Sequence, residues 1–188
     1  MRVFSVAKDL HACQEVRMEK SEGKTSLMKT LVKRIDDWNP PECYIHDLRV
    51  KPSNFFNFGK TLVFDVSAKN GLIDIFESAG QVLPLEVEGA GTLYLLHVLE
   101  NIEAYDEKSS DKLNAEEGNQ PGLKKIVFRP DRFGDSSIFK LSAFPFSPTF
   151  TYRGKLDIKN EFIGRYAELG LTGLKFIPVW TDSGHDVT

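Results

Sequence analysis

Cysteine is almost missing from this chain, with Cys13 and Cys43 the only two in 188 residues. Two thiols are too few for a disulfide-stapled scaffold, so the fold has to rest on an apolar core. An excess of positive charge is missing too. There are 24 Lys and Arg against 27 Asp and Glu, a formal net charge of −3, with a pI near 5.8. Direct nucleic-acid binding needs a basic field to neutralise phosphates, and no such field is present. No stretch approaches the roughly 20 apolar residues of a membrane span. Residues 1–10 carry Arg2, Lys8 and Asp9 without the apolar run of a secretory signal, so the expected location is cytoplasmic.

The usual signatures of chemistry are also lacking. Gly89-Ala90-Gly91 is too short for a phosphate-cradling loop and no Lys-Ser or Lys-Thr follows it. No serine sits in a glycine-flanked elbow. His11 and Cys13 are two apart and Cys43 and His46 three apart, which does not match the paired hooks of a zinc site. His97, inside a strongly apolar strand, reads as a core imidazole bonded to a neighbour. These residues point to no catalytic set, no metal and no cofactor.

Hydrophobic residues make up 41% of the chain and 14 of them are Phe, enough for a substantial core with aromatic surface to spare. The stretch 157–180 organises the reading. Phe162, Ile163, Tyr166 and Leu169 recur at helical spacing, Asp157 can cap the start, and Gly170 and Gly173 supply the stop. Residues 174–180 then read as a strand, with Pro178 at an edge or a bulge because proline donates no ladder hydrogen bond.

The same grammar occurs in 67–87: a cap at Ser67, Leu72, Ile73, Phe76 and Ala79 on one face, a stop at Gly80, then Val82 to Leu85. Lys69 and Lys159 are 90 residues apart, as are Gly80 and Gly170. A duplicated helix–strand unit would produce that constant offset, and so would chance, because such units are common.

Elsewhere the pattern predicts strands at 2–6, 44–50, 92–99, 125–128 and 138–141, and a helix at 26–37 closed by Asn39-Pro40-Pro41. The run 92–99 is apolar almost throughout, which predicts a strand covered on both faces. Residues 108–122 read as a long exposed loop and 181–188 as a tail. The expectation is one α+β domain over 1–188, with about three helices packed on a mostly antiparallel sheet.

Glu100, Glu103, Asp106, Glu107 and Asp111 form the densest acidic run, with Tyr105 inside it. Paired carboxylates serve a metal or acid–base site, an acidic surface steers a basic partner, and a solvated loop edge is the plainest use. No histidine or third ligand converges on the run in sequence, which favours the partner surface over the metal site. Phe144, Phe146, Phe150 and Tyr152 offer an apolar counterpart, although core packing is the plainer use of most of them.

Several short phrases recur in a meaningful order: Lys51-Pro52-Ser53-Asn54-Phe55, then Asp65-Val66-Ser67, then Tyr94 to Leu99 with Asp106 and Ser109 behind it. Ile138-Phe139-Lys140-Leu141 follows, and Glu168 to Phe176 with Pro178-Val179 closes the series. Over about residues 45 to 180 this arrangement resembles the Myxococcus-type immunity domain family, bacterial immunity proteins encoded beside polymorphic toxins. His97 stands where that pattern has Asn, and residues 1–45 match loosely.

The resemblance implies a non-enzymatic protein that binds and neutralises a cognate toxin domain by occluding it, while charge and the lack of long apolar runs argue for no direct nucleic-acid and no membrane partner. Glu100, Glu103, Tyr105, Asp106, Glu107 and Asp111 are the residues expected to meet the toxin. A small-ligand-binding domain or a metal-dependent hydrolase is the alternative. The hydrolase would require some of His46, His97, Asp106 and Asp111 to converge.

Overall fold

A strand buried on both faces must be apolar on both, and the run 92–99 meets that condition between two cores. The computed structural model describes residues 1–19, 35–46, 51–112, 123–144 and 148–183. The chain begins with β1 (Arg2–Lys8), β2 (Val16–Met18), β3 (Cys43–Ile45), β4 (Phe55–Phe58) and β5 (Thr61–Phe64). Helix α1 (Val66–Ala79) leads into β6 (Gly80–Glu88), β7 (Gly91–Val98) and β8 (Asn101–Ile102). Short β9 (Asp111–Lys112) and β10 (Leu123–Lys125) precede β11 (Ile138–Leu141) and β12 (Phe150–Arg153). Helix α2 (Phe162–Glu168) and β13 (Leu174–Thr181) end the described fold.

The strands form two larger sheets where one was expected. One has the order β13-β1-β12-β11-β8, the other β2-β3-β6-β7-β5-β4, and β9 and β10 make a separate two-stranded ribbon. Pairing is antiparallel except between β3 and β6 and between β11 and β8. The class is α+β, as expected, with two α-helices among the described residues. The helix expected at 26–37 falls largely outside those residues, and its last three are not helical.

Three apolar clusters account for the pattern. The central one takes Leu96 and Val98 of β7, Leu62 and Phe64 of β5, Val6 of β1 and Ile138 of β11, together with the buried faces of both helices. Leu93 and Leu95 of β7 point the other way, into a cluster with Val63, Leu85 and Cys43 that Ile35 and Trp38 help cover. The far face of the five-stranded sheet packs Val3, Phe128, Phe139, Phe150 and Tyr152. Phe150 and Tyr152 take the core-packing use expected of most of these aromatics, at 1% and 0% exposure. Phe146 lies outside the described residues.

The two helix–strand units occupy equivalent places. β5 and β6 flank β7 with α1 connecting them, and β12 and β13 flank β1 with α2 connecting them. Each is a split β-α-β unit around an antiparallel central strand. The helices differ in length, 14 residues against seven. Pro178 pairs with Phe4 on edge strand β13, where the register skips Val179, so it sits beside a bulge as its chemistry demands.

The caps differ from expectation. Asp65, not Ser67, caps α1, its carboxylate accepting from Ala68 N at 2.8 Å. Asp157 precedes a 3-10 turn (Ile158–Asn160) without a side-chain bond, and α2 starts after Glu161. Buried Glu161 instead organises the preceding loop, one oxygen accepting from the amides of Gly154, Lys155 and Leu156 at 2.7–3.0 Å. Gly170 and Gly173 have φ of +62° and +101°, the left-handed region that favours glycine. Gly80 is extended, with φ of 170°. Its glycine is required by space, because a Cβ there would collide with the His97 carbonyl oxygen.

A polar clasp joins three distant segments. The Asn54 amide donates to Asp65 Oδ2 at 3.0 Å, and its oxygen accepts from Thr172 N at 3.0 Å. Asp65 N donates to Asn54 O at 2.9 Å and Phe55 N to Thr172 O at 3.1 Å. Gly173 allows this approach, since a Cβ there would lie 2.5 Å from Phe55 O. Asn54→Ala should destabilise the fold by about 1 kcal/mol, the net worth of hydrogen bonds lost at a half-exposed site. Gly173→Ala should cost at least as much, because it adds backbone strain to a collision. Urea unfolding midpoints would check both, with the slope unchanged for a purely native-state effect.

Candidate interaction surface

After β7 the chain turns sharply onto the other sheet. Leu99 N and Glu100 N both donate to Ala79 O at 2.9 Å, and Lys140 N donates to Glu100 O at 2.8 Å. Strand β8 then pairs in parallel with β11, burying Ile102, while Ala104 two residues on is fully buried. That alternation leaves Glu103 facing outward and exposed.

The acidic run is stitched to the segment 127–129. Arg129 N donates to Ala104 O at 2.8 Å and Asp106 N to Val127 O at 2.9 Å, around a bridge between Tyr105 and Phe128. The Arg129 guanidinium donates to Glu103 O. The Ser110 hydroxyl donates to Asp106 O and accepts from Val127 N at 2.9 Å. Arg129 was not singled out from the sequence, where Arg129 to Arg132 reads only as a connection between strands. Its importance comes from pairing across 26 residues, which no local pattern reports.

The expected residues divide by use. Glu103 and Glu107 are exposed. Asp106 folds its carboxylate into a local turn, accepting from Lys108 N, Ser109 N and the Ser109 hydroxyl at 2.9–3.3 Å. Bonding to Ser109 holds its carboxyl below the ordinary value of 3.8. The Tyr105 ring packs edge-on against Phe144 at 4.9 Å, and its buried hydroxyl has no partner among the described residues. Half-buried Glu100 lies by Gly134, near Tyr152, whose phenol is pushed up by burial and then by Glu161, Asp135 and Glu100. Asp111 pairs through its backbone with Lys125. The rest of the expected loop, 113–122, lies outside the described residues.

What this surface offers is a hydrogen-bonded ledge that exposes Glu103 and Glu107. Among the described residues no group of three His, Cys, Asp or Glu could hold a metal ion. His97 is buried within β7. Both thiols are buried, and burial pushes them up, Cys43 to about 11, so they are poor nucleophiles at neutral pH. Among the described residues no helix is long and apolar enough to cross a membrane.

Because Asp106 titrates lower when folded than unfolded, its contribution is present above the ordinary value of 3.8 and is lost as pH falls through the folded value. Asp106→Ala should therefore be less stable than wild type at neutral pH, with the gap closing below that range. Thermal melts across an acid pH series would show the convergence. A scan against family models finds no match for the chain, and a search of curated proteins finds no relative.

Proposed function

We propose that the chain is an immunity protein that binds and neutralises a cognate bacterial toxin domain by occluding it, without turnover. The observation that carries this reading is the clasp. Three of the phrases behind the family resemblance, Lys51 to Phe55, Asp65 to Ser67 and Glu168 to Phe176, meet in space through Asn54, Asp65, Thr172 and Gly173. In this reading the phrases are kept together because they serve one set of contacts that spans 118 residues.

The acidic ledge supplies the binding chemistry in this reading. Its backbone is pinned by Arg129, Val127 and Ser110, so little conformational entropy is lost when a partner docks. Glu103 and Glu107 project from it and would draw a basic toxin surface, raising the association rate at low salt. Phe144 and the Tyr105 ring beside them provide an apolar contact.

The reading predicts a toxin domain encoded next to this gene, and co-expression with it should restore growth and yield a stoichiometric complex on size exclusion. Rescue without a complex would replace this reading with enzymatic reversal of the toxin's damage. Glu103→Lys together with Glu107→Lys leaves the Asp106 turn intact and should weaken the complex by about tenfold or more at low salt. Unchanged affinity would move the interface off this ledge while leaving the immunity function standing.

A further inference from the structure

The inner face of the five-stranded sheet, which elsewhere feeds the central core, turns basic at one end. Val6 and Ile138 both belong to that core. Two residues further along each strand, on the same face, stand Lys8 of β1 and Lys140 of β11. Strand β12 separates β1 from β11 and its register sets Lys140 level with Val6, so Lys8 lies two residues further along and about 12 Å away, backbone to backbone. Two long side chains can close that gap on a common ligand. Thr149, whose carbonyl accepts from Val6 N at 2.9 Å, is 97% buried just before β12, level with Lys140 and two residues short of Lys8 along the strands. Thr151, next along that face, is fully buried with a hydroxyl that has no partner among the described residues. From the opposite sheet, exposed Lys60 in the β4–β5 turn is close enough to repel Lys140.

Like charges gathered in a half-buried layer oppose one another and lose hydration, and no carboxylate among the described residues forms an ion pair with Lys8 or Lys140. Burial lowers the Lys8 amine from the ordinary 10.5 to about 8, Cys13 opposing and Lys140 adding to the shift. Burial, then Lys60, lowers Lys140 as well. A multivalent oxyanion would relieve both costs at once.

We propose that Lys8, Lys60, Lys140 and Thr149 form a binding site for a small phosphate group, free or carried on a small metabolite, at this end of the layer between the sheets. Phosphate suits it better than a carboxylate because its oxygens diverge toward several donors, and lysine ammoniums serve it as point charges. The side chains of Lys8 and Lys140 are half-buried rather than sealed, and Lys60 is exposed, so a ligand can enter from solvent. The site is independent of the acidic ledge and of what the ledge binds.

The test is calorimetry and side-chain NMR on the whole protein, with inorganic phosphate and a nucleoside monophosphate as separate probes against chloride at matched ionic strength. Saturable phosphate binding is expected, weakened about tenfold or more by Lys8→Met or Lys140→Met and unchanged by Lys69→Met. Tighter binding of the monophosphate would assign the group to a metabolite, and tighter inorganic phosphate to the free ion. In chloride the Lys8 resonance should titrate near 8, and phosphate should move that midpoint upward by favouring the ammonium. Absence of saturable binding by both probes, or a Lys8 midpoint indifferent to phosphate, would overturn the proposal, and the wild-type titration decides even if a variant fails to fold. Between about 8 and 10.5 the unfolded chain binds the extra proton, so without ligand wild-type stability rises with pH there. Lys8→Met should accordingly be more stable than wild type at neutral pH in chloride, and the advantage should shrink across that window.

Discussion

The contact between Asn54 and Thr172 joins residues 118 positions apart, and the placement of both helices depends on it. Asn54 holds Asp65, Asp65 caps α1, and Thr172 fixes the chain between α2 and β13. Each helix is thereby set against the aromatic core, where Phe55, Phe64, Phe76, Phe162 and Tyr166 stack ring to ring at 4.3–6.2 Å. The apolar contacts provide most of the driving force, but they are weakly directional. The hydrogen bonds supply the direction, since they form only when the half-buried Asn54 and Asp65 meet their partners in one geometry.

Two oppositely charged regions result from how the sheets are joined. The turn after β7 throws the acidic run onto the edge of the five-stranded sheet, where β8 pairs with β11. Lys140, on that same β11, points into the layer between the sheets with Lys8. One strand therefore backs an exposed acidic ledge with its backbone and contributes a lysine to a half-buried basic cluster. With a net charge of only −3, neither region is visible in the total.

Much of the architecture was legible from local pattern. The continuous apolar run of β7 correctly implied burial on both faces, and the strand at 138–141 has the expected bounds. Pro178 was rightly assigned to an edge or bulge, because a missing amide donor restricts proline wherever the strand lies. The offset of 90 residues pointed to two units that do occupy equivalent positions, each helix linking the outer strands around an antiparallel centre. What local pattern misassigned depended on distant neighbours. Ser67 and Asp157 have good capping chemistry, yet Asp65 caps α1 because Asn54 orients it, and Glu161 is drawn into the loop before α2. Gly80 read as an ordinary helix stop, while its real constraint is the His97 carbonyl across the sheet.

The acidic run could be found in the sequence but not sorted there. Six residues looked alike as contact candidates, and only the fold separates the outward Glu103 and Glu107 from Asp106, committed to its turn, and Tyr105, packed on Phe144. The lysine cluster was invisible, since Lys8, Lys60 and Lys140 stand far apart along the chain and nothing in their spacing links them. By itself the sequence determined the α+β class and the strands with both faces covered, because periodicity and turn chemistry act over a few residues. Tertiary structure alone decided that there are two sheets, which carboxylates face outward, and which lysines meet, because those follow from strand pairing across long separations.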